Sequence, residues 1–375
     1  MSHQFRDEFM AAIISIGTAN PGYKRHQKDV AEMVCQGFDL SPAEKRLLRN
    51  VYKSTGIEYR HSVLPDYCKN PGEFEFFPND VNEDFPSTSK RMKLYQENAL
   101  KLALQSIENC VATLENFDLK NITHLITVSC TGMYAPGLDI EIVRELQLNS
   151  STKRSAINFM GCYGAFNALK LANSICHAEP TATVLIVCVE LCTLHFQKKM
   201  DLDNIISNAI FADGAAAALV QLNPEKKGHF ILDDFYCDLM PQGDKDMCWH
   251  VGDSGFDIVL SSYVPDLIES GIADFFKILL TKNNIDVSEI DYFAIHPGGL
   301  KILQACEKAL NISVEDNHHS YEVLKKFGNM SSATILFVLS DIWKKLEKNS
   351  DSKTIFSCAF GPGLTLESSL LRTCF

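Results

Sequence analysis

Several features are missing from this 375-residue chain, and each absence narrows what it can be. No apolar run approaches the roughly 18 residues needed to cross a bilayer; Ala182–Val189 is far too short. Positive charge is in deficit, with 35 Lys and Arg against 47 Asp and Glu and a net charge of −12. That balance argues against nucleic acid as a bulk partner. The N-terminal MSHQFRDEF carries Asp7 and Glu8 and lacks the charged-then-apolar form of a signal peptide. The thirteen cysteines are odd in number and show no short repeated spacing, so reduced thiols in a cytoplasmic protein are expected. No low-complexity segment occurs, and no Pro/Gly-rich linker divides the chain.

What is present suits one large or two fused globular units with a full core. One stretch departs from the acidic balance. Between Ser41 and His61, Lys45, Arg46, Arg49, Lys53 and Arg60 face only Glu44 and Glu58. This is either a solvated helix face or a dock for a small polyanion.

Apolar strands alternate with segments of helical periodicity, which predicts an α/β fold. Strands are expected at Ile13–Ile16, His124–Val128, Ile157–Met160, Thr183–Val189, Ala215–Leu219, Phe230–Phe235, Tyr292–Ile295, Thr354–Ala359 and Leu364–Leu371. Helices are expected at Tyr95–Leu114, Asp139–Leu146, Tyr163–Ser174, Asp257–Leu280, Leu300–Ala309, Tyr321–Phe327 and Ser332–Leu346. A faint repeat runs through this pattern. FDLKNITHLITV resembles IDVSEIDYFAIH, with Asp118 and Asp286 168 residues apart; GCYGAFNALKLA follows in the first half and GNMSSATILFVL in the second, with Gly161 and Gly328 at an offset of 167. TVLIVCV against TIFSCAF is the third match in order. Three ordered matches at nearly one offset indicate duplicated βαβαβ units, and they make Cys162 and Asn329 equivalent residues on helix-opening turns.

Cys162 stands between glycines in INFMGCYGAFNALKLA, where a strand ends and a helix begins. A buried structural thiol is the ordinary alternative. A strand–turn–helix node, however, exposes the turn side chain and aims unpaired helix N–H groups at it, which favours a thiolate nucleophile. His296 closes a predicted strand before Pro297-Gly298-Gly299, where ligands of α/β sheets collect. Asn329 reads alone as a helix N-cap. A thiol, an imidazole and an amide on such turns form the set needed to make a carbon–carbon bond through a thioester. The imidazole and amide would stabilise an oxyanion or enolate.

The motifs GCYGAFNALKLA, NAIFADGAAAALV, AIHPGGLKIL, FGNMSSAT and FGPGLTLE lie in order across essentially the whole chain. Through them the sequence resembles the chalcone/stilbene synthase family, the type III polyketide synthases of the thiolase superfamily. HPGG followed by GNMSSA and GPGLT separates this family from the related ketoacyl synthases. The resemblance implies a thiolase-like fold layered α-β-α-β-α, with residues 1–226 carrying the nucleophile and 227–375 the His and Asn. It implies an acyltransferase that condenses malonyl-CoA onto an acyl-CoA starter. Coenzyme A thioesters are then substrates, with no cofactor and no metal, and the enzyme acts as a homodimer.

Position by position, Cys162 matches the acyl-accepting nucleophile, and His296 and Asn329 match its partners. Phe211 matches a gatekeeping aromatic, and Gly361-Pro362-Gly363 the scaffold beneath the cyclisation cavity. Lys53 and Arg60 lie where the family binds coenzyme A phosphates. SCTGMYAPG matches the segment that reaches toward the neighbouring subunit. Ile258 stands where plant members have a second gatekeeping Phe. Cys192 and His195 stand where plant chalcone synthases tend to have threonines, and Ala135 replaces the usual methionine before Pro-Gly. These departures resemble bacterial members, many of which use fatty acyl starters. They point away from chalcone and toward a pyrone or resorcinol-type product. The rival readings are an initiating ketoacyl synthase of fatty acid synthesis, and a non-catalytic metal-binding or scaffold protein using Cys237, Cys248 and His250; the latter lack a close ligand pair.

Overall fold

The computed structural model describes residues 10–80, 82–224, 228–346 and 351–374. Asp7, Glu8 and the expected 226/227 division lie outside these residues. The described elements run β1 (Ala11–Ala19), β2 (Tyr23–His26), α1 (Gln27–Gly37), α2 (Pro42–Lys53), β3 (Tyr59–Ser62), α3 (Thr88–Val111), β4 (His124–Ser129), α4 (Leu138–Glu145), β5 (Lys153–Asn158), α5 (Gly164–Ala178), β6 (Thr183–Leu191), α6 (Leu202–Ile210) and β7 (Asp213–Leu222). They continue with β8 (His229–Leu239), β9 (Met247–Gly252), β10 (Gly255–Leu260), α7 (Val264–Asn283), β11 (Tyr292–Ile295), α8 (Leu300–Leu310), α9 (His318–Phe327), α10 (Thr334–Lys345), β12 (Thr354–Gly361) and β13 (Thr365–Cys374). Among the described residues no helix is long and apolar enough to cross a membrane.

The duplication is visible in the strand pairing. The order β5-β4-β6-β7-β1 pairs parallel from β5 to β6, then antiparallel to β7 and β1; β11-β12-β13-β8 repeats the sense, with β11 and β12 parallel and the rest antiparallel. The two sets join where Ala12 and Ile13 pair with Ile231 and Phe230, giving one nine-stranded sheet. The local signals repeat as well. Asp118 and Asp286 each cap a single 3-10 turn. Gly161 and Gly328 hold φ of +71° and +72°, a left-handed backbone that only glycine adopts at little cost.

Strand alternation divides the interior into layers. Leu185, Val187 and Val189 of β6 face α3 through Ala99 and Leu102. Val184, Ile186 and Cys188 face the opposite way, onto Phe166 and Leu169 of α5 and Leu336 and Leu339 of α10. Phe293, Phe356 and Leu370 of the second half pack on Ile268, Ile272 and Phe275 of α7. Helices α5 and α10 thus lie side by side in the central layer of an α-β-α-β-α stack, as expected.

Several boundaries differ from the sequence reading: the helix expected from Tyr95 already begins at Thr88, and two differences fall at the site. The strand expected at Ile157–Met160 ends at Asn158, because Phe159 (φ +58°) and Gly161 turn left-handed before Cys162. The helix expected from Asp257 starts at Val264, with Pro265 in its first turn. Residues 255–260 instead form a hairpin strand whose Ile258 pairs with Trp249. Helix α2, missed by periodicity, begins on a capping box in which Ser41 and Glu44 satisfy each other's backbone N–H.

A Cβ at Gly161 would lie 2.3 Å from Pro362 Cδ. Gly161→Ala therefore adds left-handed strain of about 1–2 kcal/mol to overpacking of about 1–3 kcal/mol. Urea unfolding followed by circular dichroism should show a loss within that combined range. Wild-type stability would mean that this turn is not held as described.

Candidate active site

Three turns bring the site together. The chain leaves β5, passes Gly161, and makes one 3-10 turn through Cys162 into α5. The Gly161 N–H donates to Cys130 Sγ at 2.9 Å, fixing the turn from below. His296 follows β11, and its own N–H extends the ladder to the Cys358 carbonyl at 2.8 Å. Asn329 follows Gly328 and pairs with the segment after α6: its N–H donates to the Ile210 carbonyl at 2.9 Å, and the Ala212 N–H donates to its carbonyl at 2.8 Å.

Both readings of Asn329 are realised in one side chain. Oδ1 accepts from the Ser331 N–H at 2.8 Å, opening the turn before α10. That leaves Nδ2 to donate to the Gly298 carbonyl at 3.2 Å and to lie 3.9 Å from Cys162 Sγ. The amide therefore presents N–H groups to the thiol. Cys162, His296 and Asn329 line one cavity of about 500 Å³, whose walls include Phe211, Ile258, Trp249, Gly361 and Pro362. His296 is 1% exposed, and neither ring nitrogen has a hydrogen-bond partner among the described residues.

Burial sets the electrostatics. It pushes the Cys162 thiol up to about 12, against the lowering effect of hydrogen bonds from Ser331 and Asn329. It pushes the His296 imidazole down to about 3. Desolvation of the charged form thus opposes the helix N-terminus at Cys162 and disfavours a charged imidazole at His296. Beneath them Glu190 is fully buried. It accepts from the Cys130 N–H at 3.0 Å, Thr131 Oγ1 at 2.8 Å and Ser332 Oγ at 2.5 Å. Burial raises its carboxyl to about 7. It ties the loop after β4 to the turn before α10.

The remaining sequence candidates divide. Phe211 and Ile258 line both the main cavity and a neighbouring one of about 350 Å³; Cys192 and His195 line only the second. His195 is a brace, not a free side chain: Nε2 donates to the Thr131 carbonyl at 2.6 Å and Nδ1 accepts from the Phe256 N–H at 3.0 Å. Its ring stacks on Phe256 at 4.2 Å, and burial lowers its pKa to about 3. Of the glycine-rich loop, Gly361 and Pro362 reach the cavity, while Gly363 supplies only the left-handed turn at φ +72°.

Ala135, in the segment expected to reach toward a neighbouring subunit, sits on an exposed loop and lines neither cavity of its own chain. One expectation fails. Arg60 is 0% exposed and donates to internal carbonyls, so it cannot meet a phosphate at the surface; Lys53, at the end of α2, is exposed. Met247 and Trp249 were missed as cavity residues. The alternation of MCWHVGDSGFDIVL around Asp253-Ser254 is the hairpin signal that would have found them. Among the described residues no three His, Cys, Asp or Glu side chains group as a metal site.

If the imidazole is the acceptor of the thiol proton, His296→Ala leaves Cys162 with a thiol near 12. Its alkylation by iodoacetamide should then be slow at pH 7 and rise about tenfold per pH unit to pH 10 without a plateau. A variant alkylated as fast as wild type at pH 7 would remove His296 from that role.

The N-terminal domain model of the chalcone and stilbene synthases matches residues 1–224, and the C-terminal domain model residues 234–374. The alpha-pyrone synthesis polyketide synthase-like Pks18 of Mycobacterium tuberculosis is 32% identical over 366 residues, spanning 96% of this chain and 91% of that protein. The crystal structure of the C-terminal type III polyketide synthase domain of Steely1, a Dictyostelium type I/III hybrid, superposes with a TM-score of 0.89 at 27% identity, covering 98% of this chain and 100% of that one. PKS-I from the brown alga Ectocarpus siliculosus gives 0.88 at 28% identity, covering 97% and 98%. With the layered fold and the Cys–His–Asn cavity, these matches show that the chain belongs to the chalcone and stilbene synthase family and is a type III polyketide synthase.

Proposed function

We propose that the protein condenses malonyl-CoA iteratively onto an acyl-CoA starter held as a thioester on Cys162. The observation that carries this is the single cavity in which Asn329 Nδ2 faces Cys162 Sγ with the His296 imidazole alongside. In loading, the thiol proton passes to His296 as Sγ attacks the starter carbonyl. The Sγ–acyl bond forms, the carbon–sulfur bond to coenzyme A breaks, and the proton leaves on the coenzyme A thiol. In extension, malonyl-CoA loses carbon dioxide as its carboxylate carbon–carbon bond breaks. The electron pair becomes the thioester enolate, whose oxygen is held by the Asn329 amide and the imidazole N–H. The enolate carbon attacks the Cys162 thioester and releases Sγ. The lengthened acyl-CoA reloads for the next round and finally closes as a pyrone or resorcinol-type ring.

Arg46, Arg49 and Lys53 lie at i, i+3 and i+7 on the exposed face of α2 and suit the coenzyme A phosphates. Arg49 already holds Glu32 through two contacts of 2.7 and 2.8 Å. The end of α2 lies near the loop after His296, where a Cβ on Gly56 would touch Leu300 at 3.5 Å. An aliphatic Ile258 in place of an aromatic ring, opening onto the second cavity, suits a fatty acyl starter. The exposed edge strand β5, with Met133 48% and Met160 40% exposed nearby, suits a homodimer, which sedimentation equilibrium would read directly. Thirteen free thiols suit a cytoplasmic enzyme.

Mass spectrometry of products from malonyl-CoA and a panel of acyl-CoA starters tests the reading. Polyketide pyrones or resorcinols are expected, and their absence for every starter would overturn it. In the same assay Ile258→Phe should lower kcat/KM for the longest starter more than for the shortest; an unchanged ranking would sink the gating role. Asn329→Ala should slow malonyl-CoA decarboxylation by roughly 10²–10³ while Cys162 still loads at a near-normal rate in single turnover. Poor loading with normal decarboxylation would reverse that assignment.

A further inference from the structure

Arg60 is a buried cation without a surface role, and its contacts converge on one helix end. Helix α6 stops at Ile210, so its last carbonyls have no partners within the helix. All of those near the stop are taken by groups from outside. The Asn208 carbonyl accepts from Arg60 Nη1 at 2.7 Å and from Tyr52 OH at 3.2 Å. The Ala209 carbonyl accepts from Gln27 Nε2 at 2.7 Å. The Ile210 carbonyl accepts from the Asn329 N–H at 2.9 Å, and the Phe211 carbonyl from Arg60 Nη1 at 2.8 Å. Arg60 Nε donates to Gln27 Oε1 at 2.8 Å, which turns the Gln27 amide so that its N–H groups face Ala209.

A cation at a helix C-terminus is favourable, and Arg60 is seated there without a close carboxylate. Its guanidinium lies over Tyr52 and Tyr67 at 5.4 and 5.9 Å, and Asp213 acts on it at longer range. The backbone before Asn329 rests on the same side chain. A Cβ at Gly328 would meet the Ile210 carbonyl at 3.0 Å and Arg60 Cγ at 3.2 Å. Phe211 and Asn329, which both line the cavity of Cys162, are therefore registered against one side chain: Phe211 through its carbonyl on Nη1, and Asn329 through Gly328 on Cγ.

We propose that Arg60 is a positioning residue that fixes, through the C-terminal carbonyls of α6, the Phe211 gate and the Asn329 amide against Cys162. The role rests on the decarboxylating function proposed above. It makes Arg60 act on the extension half-reaction and not on loading, since Cys162 is held by a different turn. It also excludes Arg60 as a phosphate ligand.

The test compares wild type, Arg60→Met, Asn329→Ala and the double variant. Each is assayed for carbon dioxide release from malonyl-CoA and from the phosphate-free N-acetylcysteamine thioester, and for single-turnover acylation of Cys162. Arg60→Met should lower kcat for decarboxylation of both thioesters by roughly 10- to 10²-fold, the cost of a small misplacement. KM should be little changed, and acylation should stay within about threefold of wild type. The double variant should be no slower than Asn329→Ala alone, because both changes act through the same amide. Equal losses in loading and extension, a multiplicative double variant, or a KM rise confined to malonyl-CoA would each overturn the role. Where Arg60→Met does not fold, Gln27→Met withdraws the donor to Ala209 and Thr55 and the Nε acceptor, and leaves Arg60 Nη1 on its two carbonyls. It should show the same split on a smaller scale, and an unsplit loss overturns the role. A wild type that releases no carbon dioxide defeats the functional reading itself, whereas an active wild type with unsplit variants defeats only the role of Arg60.

Discussion

The short bridge between Asn329 and the segment Ile210–Ala212 holds the rest of the site in place. It is two main-chain hydrogen bonds long, at 2.9 and 2.8 Å. It is the point where the second half of the chain reaches the end of a helix belonging to the first. Through it Phe211 and Asn329 share one backbone register. Main-chain bonds in a dry interior are costly to leave unmade, so neither residue can drift without exposing the other's polar backbone. Gly328 is required there because the approach to Ile210 and Arg60 leaves no room for a side chain.

Duplication explains why such a bridge exists. Two copies of one α/β unit place two equivalent glycines, at φ +71° and +72°, before two equivalent helices that pack together in the central layer. Each copy therefore delivers one side chain to the shared centre. The copies diverged in what they deliver: a thiol from the first and an amide from the second. His296 comes from the end of β11, whose counterpart β4 ends in Ser129 and the loop that Glu190 holds. The symmetric scaffold thus presents different groups at equivalent turns, the Cys162 thiol on one side and the Asn329 amide on the other.

Low dielectric then decides how those groups behave. The same burial that raises the Cys162 thiol also lowers the His296 imidazole, so it disfavours the charged form of each. Polar groups that would compete are occupied. Both nitrogens of His195 are committed to backbone, and three donors hold Glu190. The cavity wall is rigid where it is polar. Its apolar part is lined by Phe211, Trp249 and Ile258.

The linear sequence was enough to establish the alternation of strand and helix and the repeat near 168 residues, and to single out three residues that share one cavity. Those signals are local: glycine before Cys162 and Asn329, a strand running into His296, and periodicity on either side. Other features needed the tertiary structure. Residues 255–260 carry an alternation that signals a hairpin, but it runs straight into the periodicity of α7, and the pairing with 247–252 separates the two, bringing Trp249 opposite Ile258. Arg60 and Lys53 look alike in a basic stretch, yet β3 turns Arg60 inward beneath α6 while α2 leaves Lys53 in solvent. The thiol's protonation was also beyond the sequence, because desolvation depends on what the rest of the fold packs around it.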